Sequence, residues 1–196
     1  SLNAGSLWGR PFYILREAWN ILNAIAEGKI ESGDEKKLNA LKGETMAVIA
    51  LCQFDLTRCF GYPYTKDKGA SLGAPLIDHL VGTYENPPRS TVAQAYDFII
   101  ETLEEAVTLM SEEKNNGRMN KYAARALLAR IYLYHDDNRK AFDLADQLIK
   151  DADTSGSYAL YPHEKYVAAW SVEAKFGSES FFEIANSVDD TPGRDS

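Results

Sequence analysis

Apolar side chains recur every three or four positions along most of this chain, a spacing that is typical of amphipathic helices. The first segment with this spacing carries apolar residues at Phe12, Leu15, Trp19, Leu22 and Ile25. Pro11 suits the first turn of a helix, and Gly28 suits the position just after its end. We therefore predict a first helix over residues 11–27.

A second helix is predicted over residues 34–60, where Ser32 and Glu35 have the spacing of a capping box at its start. The run from Met46 to Cys52 is apolar at every position, so periodicity alone leaves a strand open there. The whole segment is about 25 residues long, however, which is far longer than a usual strand. We therefore expect a central helix whose second half is buried on most sides.

Three more helices are predicted, over residues 91–111, 120–135 and 139–151. Thr91 and Gln94 have the spacing of a capping box at the first of them. A weaker helix is expected at residues 163–171. The aromatic and β-branched residues of segment 179–187 favour a short strand there.

The last two of these helices are separated by a tight turn, so they should form an antiparallel hairpin. Four residues match the Leu, small and aromatic positions of the tetratricopeptide (TPR) template: Leu128, Ala129, Tyr132 and Ala141. We predict an all-α fold of TPR-like antiparallel helix hairpins that forms a single domain over residues 1–196. No 34-residue self-similarity is clear, so a regular repeat array is not expected.

The two cysteines, Cys52 and Cys59, both lie in the predicted second helix. Seven residues of helix separate their Cα atoms by about 10.5 Å along the axis. A disulfide needs Cα atoms closer than about 7 Å. We therefore expect two buried thiols that pack as small hydrophobic side chains.

The segment 61–90 is rich in Pro, Gly and Tyr and is predicted to be a long irregular loop. Gly61 should end the preceding helix at its C′ position, and Pro63 should prevent the helix from resuming. Leu76 and Ile77 should anchor the loop on the helices. Loops longer than about 12–15 residues are uncommon in compact domains and are usually functional or disordered. The tyrosines and the low charge of this loop favour function.

Composition and charge exclude several classes of function. The formal net charge of −8 and the pI of about 4.9 argue against a nucleic-acid partner, because an acidic surface repels phosphates. No run of about 18 apolar residues is present, so we expect no membrane-spanning helix. The first residues have neither a basic nor an apolar region of the kind found in a signal peptide.

Catalytic and metal-binding motifs are absent from the sequence. The three histidines, His79, His135 and His163, are scattered and have no partners at metal-ligand spacing. The chain contains no HExxH, CxxC, GxSxG or Walker motif. We therefore predict a protein that is not an enzyme and that binds neither a metal nor a cofactor.

Several segments, in this order, resemble the SusD/RagB family: "WNILNAI", "LKGETMAVIALCQFDLTRCFGYPYT", "PRSTVAQAYDFIIETLEEA", "NGRMNKYAARALLARIYLYHDDNRKAFDLADQLI", "YALY" and "ESFFEI". Each segment alone is a weak signal. Together they cover most of residues 12–184, and their order makes the resemblance fairly specific.

The resemblance implies a SusD-like cell-surface lipoprotein of the Gram-negative outer membrane, a class that captures glycans or other nutrients. TPR-like helix pairs would form its scaffold, and loops and insertions would carry the ligand site. Oligosaccharide or polysaccharide would be passed, without catalysis, to a SusC-like TonB-dependent transporter. The sequence shows no signal peptide, lipidated N-terminal Cys or large C-terminal part. We therefore expect a central region or a truncated member, without its membrane anchor.

Four residues are candidates for glycan binding, because sugars stack on aromatic rings and bond to polar side chains. Trp8 and Arg10 lie just before the predicted first helix, where aromatic and polar residues of the family can contact glycan. Tyr62 and Tyr64 lie where the long loop begins and could also stack on sugar. The structural alternative is packing for the three aromatic residues and a solvated surface charge for Arg10.

The alternative function is a TPR-type protein–protein interaction scaffold without glycan binding. Such a protein should carry charged and Asn side chains along the concave faces of its helices. The inner positions assigned above are mostly apolar or small, which favours a packed scaffold instead.

Overall fold

Five α-helices contain most of the residues that the structure describes, and each packs against the next along the chain. The structure is a computed structural model that describes residues 4–30, 32–114, 117–170 and 175–184. The helices are α1 (Ala4–Ala26), α2 (Glu35–Phe60), α3 (Val92–Leu109), α4 (Lys121–Tyr134) and α5 (Asn138–Ser155). They form TPR-like antiparallel hairpins, so the predicted all-α fold class is confirmed. That residues 1–196 form one domain stays a prediction.

Helix α2 lies at the centre of the fold and buries apolar side chains on two faces. On one face Phe54 packs with Ile99 of α3 and Ile131 of α4 in the main core. On the other face Ile49 packs with Leu15 of α1 in a second core. The continuous apolar run that left a strand open in the sequence therefore belongs to a helix that is buried on both sides.

The close approach of α2 and α3 depends on Gly43, the residue at which the buried stretch of α2 begins. A Cβ at this position would lie 2.7 Å from the Met110 Cγ and 2.9 Å from the backbone oxygen of Ala106. The Met110 side chain can move, but the carbonyl belongs to α3. A glycine at this position therefore allows the two backbones to approach closely.

Two of the predicted helix caps are settled by the structure. The capping box of Thr91 and Gln94 at the start of α3 is confirmed, with both of its reciprocal hydrogen bonds present. The capping box of Ser32 and Glu35 is wrong, because Asp34 is the N-cap of α2. The Asp34 carboxylate accepts bonds of 3.0 and 3.3 Å from two backbone N–H groups of the first turn. The carboxylate adjoining the helix thus takes the place that the hydroxyl two residues earlier was predicted to fill.

Helix α1 begins at Ala4, seven residues before its predicted start, and Pro11 lies in its interior. An internal proline removes one backbone hydrogen bond and crowds the preceding turn. The other bonds of this 23-residue helix outweigh that loss. The predicted stop at Gly28 is confirmed by its positive φ of 68°. The early start has one consequence for the site, since Trp8 lies within α1 and not before it.

The long loop contains a small antiparallel sheet that the sequence analysis missed. Strands β1 (Leu72–Pro75) and β2 (Arg89–Thr91) pair with Leu72 opposite Thr91 and Pro75 opposite Arg89. The Arg89 guanidinium also donates hydrogen bonds to two carbonyls of β1, at 2.7 and 3.0 Å. These bonds join two segments of the loop and fix the base of the residues between them, 76–88.

Gly61 ends α2, but not in the way the sequence predicts. It is the C-cap residue, with an extended backbone (φ −104°, ψ 168°) and not the left-handed form of a C′ glycine. A Cβ at Gly61 would lie 2.7 Å from the carbonyl oxygen of Thr57. Lack of space, and not the sign of φ, is therefore the reason for glycine here.

The two cysteines differ in their surroundings. Cys52 is buried, and burial, with Asp55 as the smaller cause, raises the pKa of its thiol to about 12. Cys59 is exposed, so the prediction that both thiols are buried is wrong. It lies in the last turn of α2, beyond the buried stretch that ends at Thr57.

The segment after α5 has less regular structure than predicted. Two short 3-10 turns, His163–Lys165 and Ala168–Trp170, replace the predicted helix, and Ser171 lies outside the described residues. The predicted strand is also wrong over residues 179–184, and the rest of it, residues 185–187, lies outside the described part. Phe181 packs instead against Tyr122 and Tyr158 at one end of α4. None of the helices in the described residues combines the length and the apolar character needed to cross a membrane.

Replacing Gly43 with alanine should destabilise the fold, because the added Cβ meets the α3 carbonyl. We expect the free energy of unfolding to fall by about 1–3 kcal/mol, as for other overpacked sites. Gly9→Ala is the matched control, since Gly9 is also helical and a Cβ there would meet nothing within 4 Å. Urea unfolding measures both, and a Gly43→Ala protein as stable as Gly9→Ala would contradict the close approach of α2 and α3.

Candidate functional site

A cleft of about 560 Å³ lies between the first half of α1 and the projecting part of the loop. One wall is a single face of α1, formed by Trp8, Phe12 and Arg16. These residues are four positions apart, which places them one above another on a helix. The other wall belongs to loop residues 75–87 and is mixed in character, with apolar side chains at Pro75, Ile77, Val81 and Pro87 and polar side chains at His79, Thr83 and Asn86.

Trp8 is held in place and remains accessible. Its ring meets Phe12 edge to face, with centroids 5.0 Å apart, and meets Phe60 of α2 in the same manner at 4.7 Å. Edge-to-face contacts of this kind favour one orientation of the ring. The side chain is nevertheless 39% exposed. The cleft therefore has an aromatic surface whose orientation is set by the helices.

The loop wall is anchored by side chains from α1 and α2. Gln53 of α2 is fully buried, and its Nε2 donates a hydrogen bond to the Pro75 carbonyl at 3.1 Å. Its Oε1 accepts a bond from the Ile77 N–H at 3.3 Å. The Trp19 indole of α1 donates to the Ile77 carbonyl at 3.2 Å. Side chains of α1 and α2 therefore satisfy the hydrogen-bonding groups of the loop backbone at the point where the loop enters the cleft wall.

The apolar side chains of the same loop segment seal the second core. Ala74 and Ile77 are buried against Leu15, Ile49 and Leu56. Ile77 is thus fixed by its side chain as well as by both of its backbone groups. The expected anchoring of the loop is confirmed for Ile77, whereas Leu76 is only partly buried and is not among the side chains of the second core.

Hydrogen bonds among charged side chains fold the tip of the loop. His79 Nδ1 lies 2.6 Å from Asp78 Oδ1, and its Nε2 lies 2.7 Å from Glu85 Oε1. The other Glu85 oxygen accepts the Gly82 N–H at 3.0 Å. The bonds to Asp78 and then Glu85 raise the pKa of His79 above its usual 6.5. The Gly82 N–H first, and then His79, lower the pKa of Glu85 below 4.5.

Of the four candidate residues, Trp8 is the one that lines this cleft. Arg10 is exposed on α1, but two helical residues correspond to a rotation of about 200°, which places it nearly opposite Trp8. The prediction that Trp8 and Arg10 lie before the first helix is therefore wrong, because both lie within α1. Glycan contact by either residue stays a prediction.

The two tyrosines lie elsewhere. Tyr62 is exposed, and the Lys66 ammonium lies 3.1 Å from the centre of its ring, so one face is covered. Tyr64 packs at the junction of α3 and α4, with ring centroids 5.7 Å from Tyr96 and 4.2 Å from His135. Neither lines the cleft. Their contact with sugar also stays a prediction.

Sequence reasoning missed most of the cleft. Phe12 and Arg16 repeat the spacing of Trp8, a signal that becomes readable only when the helix is extended back through Pro11. His79, Thr83 and Asn86 come from an irregular loop, where no periodic pattern connects them with α1.

A second cleft, of about 550 Å³, lies between the start of α2 and the α3–α4 connection. Leu41, Met110 and Met119 give it an apolar floor, and Lys36 and Lys37 lie at its edge. No aromatic side chain is among its described lining residues, so it lacks a surface for stacking a sugar ring. Within the described residues, no group of three or more His, Cys, Asp or Glu side chains is arranged to hold a metal ion.

Comparison with known proteins gives a consistent family. The model of a family named SusD-like, described as "Starch-binding associating with outer membrane", matches residues 3–133. A SusD superfamily protein from Bacteroides thetaiotaomicron is 39% identical, with a TM-score of 0.87 over 93% of this chain. A protein from Bacteroides vulgatus that is proposed to bind sugar is 38% identical, with a TM-score of 0.88 over 96% of this chain.

A laminarin-binding SusD-like protein shares the fold, with a TM-score of 0.70 over 90% of this chain, at 22% identity. The present chain covers 39%, 42% and 36% of these three proteins, so it spans about two fifths of the length of its solved relatives. No curated protein sequence is significantly similar to it.

Replacing Gln53 with methionine should loosen the loop, because it leaves the Pro75 carbonyl and the Ile77 N–H without partners in a buried place. Each unsatisfied buried group costs about 1–3 kcal/mol, so for the two groups we expect a loss of about 2–6 kcal/mol in the free energy of unfolding. Faster proteolytic cleavage between residues 76 and 88 should accompany it. The control is Gln147→Met, at an exposed position on α5. Equal stability and equal cleavage of the two variants would contradict the anchoring role of Gln53.

Proposed function

The chain belongs to the SusD-like family, and we propose that it is a cell-surface nutrient-binding protein that captures glycan in the cleft beside Trp8. Membership confirms the resemblance to SusD/RagB proteins. The observation that carries the proposal is the half-exposed Trp8 ring, held between two aromatic side chains on the wall of a cleft. The likeness to a Bacteroides protein proposed to bind sugar supports the same class of ligand.

The composition of the cleft suits a sugar. The C–H face of a pyranose ring can lie on the indole of Trp8, where both surfaces lose water. The hydroxyls at the edge of that ring then need polar partners. Arg16, Thr83 and Asn86 are placed around the cleft to donate or accept these hydrogen bonds. A few polar groups around an apolar surface is the usual composition of a small-molecule site.

We propose that the protein binds glycan without cleaving it. Glycoside hydrolysis generally uses two carboxyl groups on either side of the scissile bond. The described residues that line the cleft include no Asp or Glu. The nearby Glu85 carboxylate already accepts bonds from His79 and from the Gly82 N–H.

The proposed partner is a SusC-like TonB-dependent transporter, which would take up the captured oligosaccharide. The proposed location is the surface of the outer membrane, where a lipid anchor would hold the protein. Both proposals rest on the family, whose description includes association with the outer membrane. In this arrangement the helical hairpins supply the rigid scaffold, and the loop and the start of α1 supply the ligand site.

A protein-binding scaffold without glycan binding is the second candidate, and the second cleft is the observation in its favour. Its apolar floor and lysine edge could receive a peptide. The two candidates are separated by which cleft responds to which ligand, and substitutions at Trp8 affect the first cleft alone.

Replacing Trp8 with alanine should abolish or strongly weaken glycan binding. Isothermal titration calorimetry with maltooligosaccharides and laminarioligosaccharides measures the affinity of the unmodified chain and of the variant. Loss of a stacking surface should reduce the affinity by at least about tenfold, which corresponds to about 1.4 kcal/mol. Trp8→Phe should retain part of the affinity because it keeps an aromatic face.

Trp170→Ala is the matched control, since Trp170 is 76% exposed and lies in a 3-10 turn outside the cleft. It should bind as the unmodified chain does. Circular dichroism melting shows whether Trp8→Ala still folds, because Trp8 also packs on Phe12 and Phe60. Binding that survives in a folded Trp8→Ala protein would contradict the proposed site.

A further inference from the structure

The hydrogen bonds of His79 require a particular protonation state. A neutral imidazole has one N–H donor and one lone-pair nitrogen, whereas the imidazolium form donates from both nitrogens. An ionised carboxylate can accept but cannot donate. Here both ring nitrogens face carboxylate oxygens, Asp78 Oδ1 at 2.6 Å and Glu85 Oε1 at 2.7 Å. With both carboxylates ionised, both contacts are hydrogen bonds only when His79 carries its second proton.

Glu85 connects this bridge to the rest of the loop tip. Its second oxygen accepts the Gly82 N–H at 3.0 Å, and its own N–H donates to the Gly82 carbonyl at 3.1 Å. Residues 79–85 are therefore closed into a ring through His79 and Glu85. His79, Val81, Gly82 and Thr83 of this ring line the Trp8 cleft. A change in the bridge consequently moves groups that would contact the ligand.

We propose that His79 in its imidazolium form is a pH-sensitive bridge that holds residues 79–85 in the conformation that forms one wall of the Trp8 cleft. On deprotonation, one ring nitrogen presents a lone pair to a carboxylate, and that contact becomes repulsive. The closed turn of residues 79–85 then opens at the His79–Glu85 hydrogen bond. The base of the loop stays in place, because Ile77 is held by Gln53 and Trp19.

The charged groups around His79 favour its imidazolium form. On its own loop, Asp78 and Glu85 contact it directly. From α1, the charged side chain that lines the same cleft is Arg16, and its guanidinium bonds to Glu17 at 3.1 and 3.2 Å. The two carboxylates in contact with the ring therefore dominate, in agreement with the direction in which the pKa of His79 moves.

The pH range over which the bridge is formed follows from the pKa shifts of His79 and Glu85. The pKa of His79 is raised above 6.5, so the bridge is complete below that pH and is lost as the pH rises through the raised value. The pKa of Glu85 is lowered below 4.5, so the bridge is also lost as the pH falls through that lower value. The loop wall should be formed between these limits.

Amide hydrogen exchange at Gly82, measured by NMR from pH 5.5 to 9, tests the bridge without any ligand. The protection factor, which corrects for the intrinsic dependence of exchange on pH, should fall severalfold as the His79 ring titrates in the same spectra. Glu85→Gln should remove this dependence, because its amide has one acceptor oxygen where the carboxylate uses two, so the bridge to His79 and the Gly82 N–H is incomplete at every pH. His163→Gln is the control and should leave it unchanged. A Gly82 protection factor that stays constant while His79 titrates would overturn the proposal.

The consequence for glycan affinity rests on the proposed function, and calorimetry across the same pH range measures it. We expect the affinity to fall severalfold as His79 deprotonates in the unmodified chain and to change little in Glu85→Gln. If Gly82 protection titrates but no oligosaccharide binds, the bridge is supported and the proposed glycan site is wrong. If oligosaccharide binds with the same affinity throughout and Gly82 protection is constant, the glycan site stands and the bridge is wrong.

Discussion

The geometry of the candidate site depends on one buried side chain, Gln53, which bonds to the backbone of the long loop from the centre of α2. A loop of this length carries many backbone groups that need partners, and a loop that runs over apolar surface finds few of them in water. Gln53 supplies a donor to Pro75 and an acceptor to Ile77, and Trp19 supplies a second donor. These bonds allow the loop to pack on the helices instead of remaining in solvent.

The anchored loop completes the fold as well as the site. Helix α2 is apolar on two faces, and α3 and α4 cover one of them. Helix α1 covers the other face together with Ala74 and Ile77 of the loop. Because Ala74 and Ile77 seal a core at the point where the cleft wall begins, the base of the wall is supported by the helices. Its tip, residues 79–85, projects beyond this support and depends on charged hydrogen bonds, which makes it the part that can respond to pH.

The helical fold could be read from the sequence where local pattern and packing agree. The helical spacing of apolar residues and the capping box at Thr91 predicted α3 closely. The length of the segment around the apolar run identified α2 as a central helix. Local sequence signals gave the wrong helix ends where another interaction in the folded chain was stronger. Pro11 lies inside α1 because a long helix tolerates one lost bond, and Asp34 caps α2 because it adjoins the first turn. The strands β1 and β2 and the exposed Cys59 depend on long-range contacts that no local pattern encodes.

The site was less predictable than the fold for the same reason. Trp8 could be singled out as an aromatic residue near the start of the chain, although its neighbours in the structure are Phe12 and Phe60 and not Arg10. Gln53, by contrast, reads as one polar residue directly after the apolar run from Met46 to Cys52. Its role appears only when the loop backbone is placed beside it.

The measurement that tests the central claim most directly is an NMR map of the protein titrated with the oligosaccharide that binds best. The account predicts saturable shifts of the Trp8 indole N–H and of the backbone amides of the loop wall, residues 77–86, with little change at the Trp170 indole. Saturable binding whose shifts cluster at the second cleft, around Lys36 and Met119, would contradict the account, as would the absence of any sugar-dependent shift at Trp8.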